Sequence, residues 1–489
     1  MNDSAEQPSS LDAIADRQLR ELAHRMLDDM LDYTLKIRER PVWTQMQTED
    51  RAAMRLAPPE IPTDPEQVYE HFQQRILPFV AGNVHPGFMG WVHGGGTVVG
   101  MLAEMLAAGL NANCGGRDHS AIQVEHQIID WVRQWFGFPA GASGLFVTGT
   151  SMANFIAVLV ARRTALAAAV RIAGLCGQPQ LVAYTSTAAH ACIARAMDYA
   201  GLGSRNLRLI PVDAEQRVNL PALRDTINAD RDAGHVPFLL IGTAGTVDIG
   251  AIDDLAALAD LAAQQRLWFH VDGAFGALGV LTSEIAPRLA GIERADSIAL
   301  DFHKWVQVPY DAGFVLVRDG NLHRETFVTS AAYLQRAGRG LGAGDHWPND
   351  FGPDLSRGFR ALKTWFTLRV YGTRQLGEVI AISCRVARHL QRRILAEPKL
   401  ELLAPVPLNI VCFRYRNVDT DDLDALNTAI AADVQESGIA APSTTRINGK
   451  LAIRAAIFNH RTRERDVDAL VQAVLESGKR RAPPQCKSP

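Results

Sequence analysis

Between residues 145 and 317 the chain alternates short apolar runs with helical stretches. The runs fall at 145–147, 181–184, 238–241, 267–271, 297–300 and 313–317, and helical periodicity fills 152–168, 189–200 and 255–264. Strands separated by helices are βαβ units, which build a mainly parallel sheet with helices against it. Such sheets bind ligands beyond the carboxyl ends of their strands. The residues that follow each apolar run are therefore where chemistry is to be sought.

Two of those places carry a telling pair. His270-Val-Asp-Gly-Ala-Phe275 ends one run and Asp301-Phe-His-Lys-Trp305 follows another. A lysine and an aspartate so placed match what pyridoxal 5′-phosphate requires. Lys304 would form a Schiff base with its aldehyde, and Asp272 would keep the pyridine nitrogen protonated so that the ring accepts electrons. Thr148-Gly-Thr-Ser151 lies between a strand and a helix, where backbone N–H groups and the hydroxyls of Thr150 and Ser151 suit a phosphate. An ordinary N-cap uses the same residue types. His190, at another strand end, can stack on a pyridine face or simply start a helix. Thr243-Ala-Gly-Thr246 offers two hydroxyls, Thr243 and Thr246, near the same rim, or a plain strand-to-loop turn. His303 can bind phosphate, move a proton or serve in packing.

Charge and cysteine usage narrow the classes. A net charge of −3 supplies no basic excess for nucleic acid. The six cysteines are scattered with no Cys-x-x-Cys pair, so no metal site is expected and a reducing, cytoplasmic setting suits the chain. The apolar stretch 98–110 is interrupted by Glu104 and is too short for a bilayer, so no membrane partner is expected. Helical periodicity over 11–40 carries one apolar stripe, from Leu11 and Ile14 to Met30 and Leu31, with too few neighbours to own a core. That segment is expected to pack on another body. After a helix running from 362 past Gly377 to 395, strands at 408–413 and 451–457 with helices near 421–436 and 466–477 suggest a smaller α+β domain.

These segments in combination resemble a known family. His85-Pro-Gly-Phe88, Leu102-Ala-Glu-Met-Leu106, Thr148 to Asn154, His190, Thr243 to Thr246, His270 to Ala274, His303-Lys-Trp305, Phe359-Arg-Ala-Leu-Lys363 and Asn459-His-Arg-Thr462 are similar to the group II pyridoxal-phosphate-dependent amino-acid decarboxylases. The resemblance runs from about His85 to Arg461. It implies the α/β fold of PLP-dependent transferases of fold type I, with a mainly parallel seven-stranded sheet in the large domain. The expected divisions are an N-terminal helical, dimer-wrapping segment at 1–85, the large domain at 86–375, a small α+β domain at 376–478 and a disordered tail at 479–489. It also implies a homodimer with active sites at the interface and an amino-acid substrate. By matching position, Lys304 is the Schiff-base lysine, Asp272 the pyridinium partner and His190 the stacking ring. Thr150, Ser151 and His303 are phosphate contacts, and Ala274 packs under the ring. Trp91, Val92 and His93 match positions that line the substrate pocket.

The chain also departs from that pattern. The aromatic decarboxylases carry a tyrosine on a mobile loop that protonates Cα, whereas residues 335–357 contain none. His346 is the substitute expected there, with Tyr333 or a residue of the other subunit as alternatives. Asp301 and Phe275 stand where Asn and Tyr are common. Arg117 can pair with a substrate carboxylate or lie on the surface, and Trp91 favours an aromatic or bulky substrate. The expected reaction is decarboxylation of an L-amino acid to the amine. Decarboxylation with oxidative deamination to an aldehyde, a carbon–carbon lyase, and a non-catalytic homologue are the alternatives.

Overall fold

The computed structural model describes residues 17–55, 57–329, 336–344, 346–417 and 422–481. The short strand β1 (Phe88–Met89) belongs to the smaller of two sheets. The larger holds β2 (Ser143–Val147), β3 (Leu181–Ser186), β4 (Leu207–Ile210), β5 (Val236–Thr243), β6 (Trp268–Asp272), β7 (Ser297–Asp301) and β8 (Gly313–Val317). Their order is β2-β8-β7-β6-β5-β3-β4. Only β8 runs antiparallel, to both β2 and β7, so the expected seven-stranded, mainly parallel sheet is present.

Both faces of this sheet are covered, which is why its strands read as apolar runs rather than alternating ones. Leu145, Val147, Ala183, Ile241 and Ala299 point into one core, while Phe146, Val182, Leu240, Val271 and Leu300 point into the other. The sequence reading had no strand at 207–210. This edge strand is short, and its middle residues Arg208 and Leu209 are not buried.

The smaller sheet adds β9 (Leu400–Leu402), β10 (Ile410–Tyr415), β11 (Ala441–Ile447) and β12 (Lys450–Ala456), in the order β1-β11-β12-β10-β9. Helices Leu423–Glu436 and Glu464–Arg481 pack with it around Val411, Phe413, Ile453, Ile430 and Leu470. Met89 of β1 is buried in that same core, so residues just past position 85 complete the small sheet. The connecting helix Arg360–Leu395 is broken at Gly372 (φ 67°, ψ 158°), not continuous as the periodicity suggested. Glycine takes that positive φ without a Cβ penalty.

At the C-terminus the helix continues through Arg481, so 479–481 are ordered helix where a tail was expected. Residues 482–489 lie outside the described residues, as do Leu11 and Ile14 of the N-terminal stripe. Helix Arg17–Leu35 buries only Leu22. Its following segment is tied to the smaller sheet and its helices through Arg38 and Asp466 (2.7 Å) and through Val42 against Phe88 and Ala441. No described helix is long and apolar enough to cross a membrane.

Candidate active site

A cavity of about 370 Å³ opens where several strands of the large sheet end. Thr150 and Ser151 reach it from the turn after β2, His190 from beyond β3, and Thr243 from the end of β5. Asp272 comes from the end of β6, and His303 and Lys304 from the turn after β7. Ala274 completes the floor, while Trp91 and His93 stand on a separate loop. Residues spread over more than two hundred positions thus share one space, as the switch-point rule for parallel sheets predicts.

Lys304 Nζ lies 2.8 Å from Asp301 Oδ2, and Asp301 is buried. The other carboxylate oxygen accepts the Thr150 backbone N–H at 2.7 Å. Asp301 therefore binds the start of helix Thr150–Leu166 to the lysine, where the field of the helix N-terminus favours an anion. His303 Nδ1 accepts the Ala312 N–H at 3.0 Å, which leaves Nε2 to carry the proton, 3.6 Å from Asp301 Oδ2. Burial holds the His303 imidazole below its ordinary pKa.

Asp272 is buried at the far side of the cavity. Its Oδ2 accepts from Asn154 Nδ2 at 3.1 Å and its Oδ1 from the Ala274 N–H at 3.2 Å. Burial pushes its carboxyl pKa up, while the charges of Lys304 and His190 pull it back. A cationic ring nitrogen would add a further partner of the right sign. His190 Nδ1 accepts the Cys192 N–H at 3.1 Å, so its Nε2 edge and ring face remain for the cavity. The Cys192 thiol is pushed up to about 12 by burial and stays neutral.

The wall around the mouth is aromatic. His93 stacks on Phe88 (centroids 5.6 Å) and Trp91 (6.1 Å), and Tyr310 meets His93 edge-on at 5.7 Å. The Gly94-Gly-Gly96 run serves close approach more than open room. A Cβ on Gly94 would sit 2.4 Å from the His303 carbonyl oxygen and 2.5 Å from that of Lys304, so the loop lies directly on the lysine segment.

Three expected site residues do not line this cavity. Thr246 spends its hydroxyl accepting the Ala251 N–H at 3.0 Å, closing a turn. Arg117 lies 4.5 Å over the Trp347 ring. His346 is exposed, beside Phe351 and within the electrostatic reach of His126. Tyr333 lies outside the described residues.

Cys192, Val247, Tyr310 and Arg454 also line the cavity and were not singled out from the sequence. Tyr310 follows Lys304 by six positions, in a turn that has no periodicity to announce it. Arg454 is a buried arginine in the apolar strand β12, and that mismatch was the available signal. It binds the Val247 and Asp248 carbonyls and Ser443 Oγ.

The donor set fits pyridoxal phosphate. Buried hydroxyls of Thr150 and Thr243 face this region with no hydrogen-bond partner among the described residues. Unpaired buried hydroxyls are costly, and a phosphate or ring oxygen would satisfy them. Among the described residues no cluster of His, Cys, Asp and Glu suits a metal ion.

Comparisons with known proteins agree with this chemistry. The chain is 32% identical to an aromatic-L-amino-acid decarboxylase of Bacillus atrophaeus, covering 91% of this chain and 92% of that one. It is 29% identical to a phenylacetaldehyde synthase of Arabidopsis thaliana over 94% and 95% of the two chains. The crystal structure of Oryza sativa TDC with PLP and tryptamine shares the fold, with TM-score 0.87 at 24% identity over 97% and 99% of the two chains. The model of the pyridoxal-dependent decarboxylase conserved domain matches residues 49–416. A lysine, an acid and two unsatisfied hydroxyls around one cavity, in a chain matched over most of its length, place this protein in the pyridoxal-dependent decarboxylase family.

Proposed function

We propose that this decarboxylase acts on an aromatic L-amino acid and releases its amine and carbon dioxide. The observation that carries the substrate class is the wall of Trp91, His93 and Tyr310 in the cavity that holds Lys304, with Phe88 stacked behind His93. Rings in this arrangement favour a flat apolar side chain through edge and face contacts. The similarity to an aromatic-L-amino-acid decarboxylase supports the same class.

When bound, pyridoxal phosphate supplies a sink for the electron pair left as carbon dioxide departs. The chain's residues then divide the remaining work. Lys304 would hold the cofactor aldehyde and yield it to the substrate amine. Asp272 would keep a proton on the ring nitrogen, and His190 would lie against the ring. Thr150, Ser151 and the helix start behind them would hold the phosphate. Asp301, already bonded to Lys304, fixes where that amine sits.

The α-carbon needs a proton before an amine can leave. Tyr310 is the tyrosine that lines the cavity, and no described residue bonds its hydroxyl. Its backbone is fixed, because buried Lys363 donates to the Tyr310 carbonyl at 3.0 Å and Arg360 pairs with Asp311 at 2.7 Å. We assign Tyr310 the delivery of that proton. His346 and Arg117 would enter a site only from a second subunit. A homodimer is supported by the exposed apolar side chains Leu35, Ile61, Met105 and Leu110. The described cysteines are all free, which suits a cytoplasmic location.

Aldehyde formation has its own support in the likeness to a phenylacetaldehyde synthase and in the absence of His346 from the protomer's cavity. One experiment separates the two. Holoenzyme is fed a panel of amino acids while carbon dioxide, amine, aldehyde and peroxide are measured together. Amine from Phe, Tyr or Trp is the expected product, and Tyr310→Phe is expected to slow it by about 10²-fold or more and raise the aldehyde share. Peroxide and aldehyde in place of amine from the unaltered enzyme would overturn this assignment. An unchanged product ratio and rate in Tyr310→Phe would remove Tyr310 from the reaction.

A further inference from the structure

Behind Asp272 runs a line of buried polar groups that neither the cavity nor the family match explains. Trp268, His270 and Asp272 occupy alternate positions of β6, so their side chains share one face of the strand. Ser297 sits beside His270 in the β6–β7 register, and Asn154 projects from helix Thr150–Leu166. Trp268 Nε1 lies 2.8 Å from Ser297 Oγ, which lies 2.8 Å from His270 Nδ1. His270 Nε2 lies 2.8 Å from Asn154 Oδ1, and Asn154 Nδ2 lies 3.1 Å from Asp272 Oδ2. All five residues are buried.

The chemistry of the ends fixes the direction of every bond. An indole N–H can only donate, so Ser297 Oγ accepts from Trp268. At the other end the carboxylate can only accept, so Asn154 points its amide N–H at Asp272 and its oxygen at His270; this puts the imidazole hydrogen on Nε2 and leaves Nδ1 to accept from the serine. Four bonds thus donate the same way and end on one carboxylate. Burial pushes His270 down to about 3, so the line carries oriented dipoles and no net charge. Such preorganised dipoles stabilise charge without having to reorient.

We propose that Trp268, Ser297, His270 and Asn154 form a one-way hydrogen-bond relay. It holds Asp272 anionic and aimed, so that the acid can keep a ring nitrogen protonated. His270 and Ser297 are positioning residues in this scheme, since neither touches the cavity. The inference rests on the cofactor assignment made above and extends it to residues that composition and motif had left without a role.

Breaking the relay far from Asp272 should be felt at the ring nitrogen. Ser297→Ala removes the proton that His270 Nδ1 accepts. His270 can then carry its hydrogen on Nδ1, and the bond from Nε2 that helps hold the Asn154 amide toward Asp272 is lost. The test reconstitutes wild type, Ser297→Ala, Ser297→Thr, Trp268→Phe and Asp272→Asn with ¹⁵N-labelled pyridoxal phosphate. It reads the ring-nitrogen resonance by NMR and the cofactor dissociation constant by absorbance.

Ser297→Ala is expected to move the resonance toward the unprotonated position and to weaken cofactor binding about tenfold, the size of one hydrogen bond to a charged group. Ser297→Thr, which keeps the hydroxyl, is expected to match wild type. Trp268→Phe should shift the resonance in the same sense but less, and it stands in if Ser297→Ala does not fold. Asp272→Asn should give the full shift. Wild-type resonance and affinity in both Ser297→Ala and Trp268→Phe would overturn the relay while leaving the cofactor assignment intact. A wild-type protein that binds no cofactor would overturn both.

Discussion

Buried histidines give this chain a built-in sensitivity to acid. Besides His270, burial pushes His323 to about 3 and His460 to about 4, from an ordinary value of 6.5. Each is neutral when folded and takes its proton on unfolding. Between the folded and unfolded pKa values the unfolded chain therefore binds more protons. Stability is full above about pH 6.5 and falls as the pH drops below it. His323 isolates the effect, since it lies away from the cavity. It pairs with Ser143 Oγ at 2.8 Å and packs edge-on against Phe327 and Phe351. His323→Gln should be less stable at pH 7 yet lose less between pH 7 and pH 5, its slope flatter by up to about 1.4 kcal/mol per pH unit. Urea unfolding at the two pH values measures this. Parallel slopes in wild type and variant would show that His323 does not titrate in that range.

At the level of elements, legibility followed burial. The strand that carries Asp272 and the one that leads to Lys304 were readable because both their faces are covered, and the acid and the lysine stand out where the apolar runs stop. Strands β1, β4, β9 and β11 were missed: β1 is buried but only two residues long, and Leu207–Ile210 and Ala441–Ile447 mix buried and exposed positions. Long-range pairs left no trace at all. Glu125 sits on the amphipathic helix Ser120–Trp135, yet it is buried and pairs with Arg357 at 2.7 Å, 232 positions away. Arg357 also binds the Cys114 and Phe146 carbonyls, and Glu125 accepts the Phe146 N–H. One ion pair thus locks helix Ser120–Trp135, strand β2 and the approach to helix Arg360–Leu395 together. Removing one partner leaves a buried charge alone, so Glu125→Ala should cost about 3–5 kcal/mol. Glu125→Ala with Arg357→Met should recover much of that loss in the same denaturation experiment. A loss under about 1 kcal/mol for Glu125→Ala would place the pair with weak surface bridges.

For the whole molecule, the proposed homodimer can be tested by asking which subunit would complete each cavity. Within this chain the cavity gathers Lys304, Asp272, His190 and Tyr310, whereas Arg117 lies over Trp347 and His346 is exposed beside Phe351. In the proposed homodimer the two arrangements are separable, because a residue acting across an interface can be supplied by a different chain from the lysine. Consider subunits carrying Lys304→Ala mixed with subunits carrying His346→Phe. If His346 acts across the interface, each mixed dimer contains one site with both an intact Lys304 and an intact His346. If it acts within its own chain, no mixed dimer has such a site. The assignment of Tyr310 as proton source makes a sharper forecast. His346→Phe alone should keep most of its amine formation, and mixing should add nothing beyond dilution by the inactive lysine variant. Recovery of amine formation in the mixed dimers, from a His346→Phe parent that had lost it, would move the proton step to the partner subunit. Tyr310 would then be left as part of the aromatic wall.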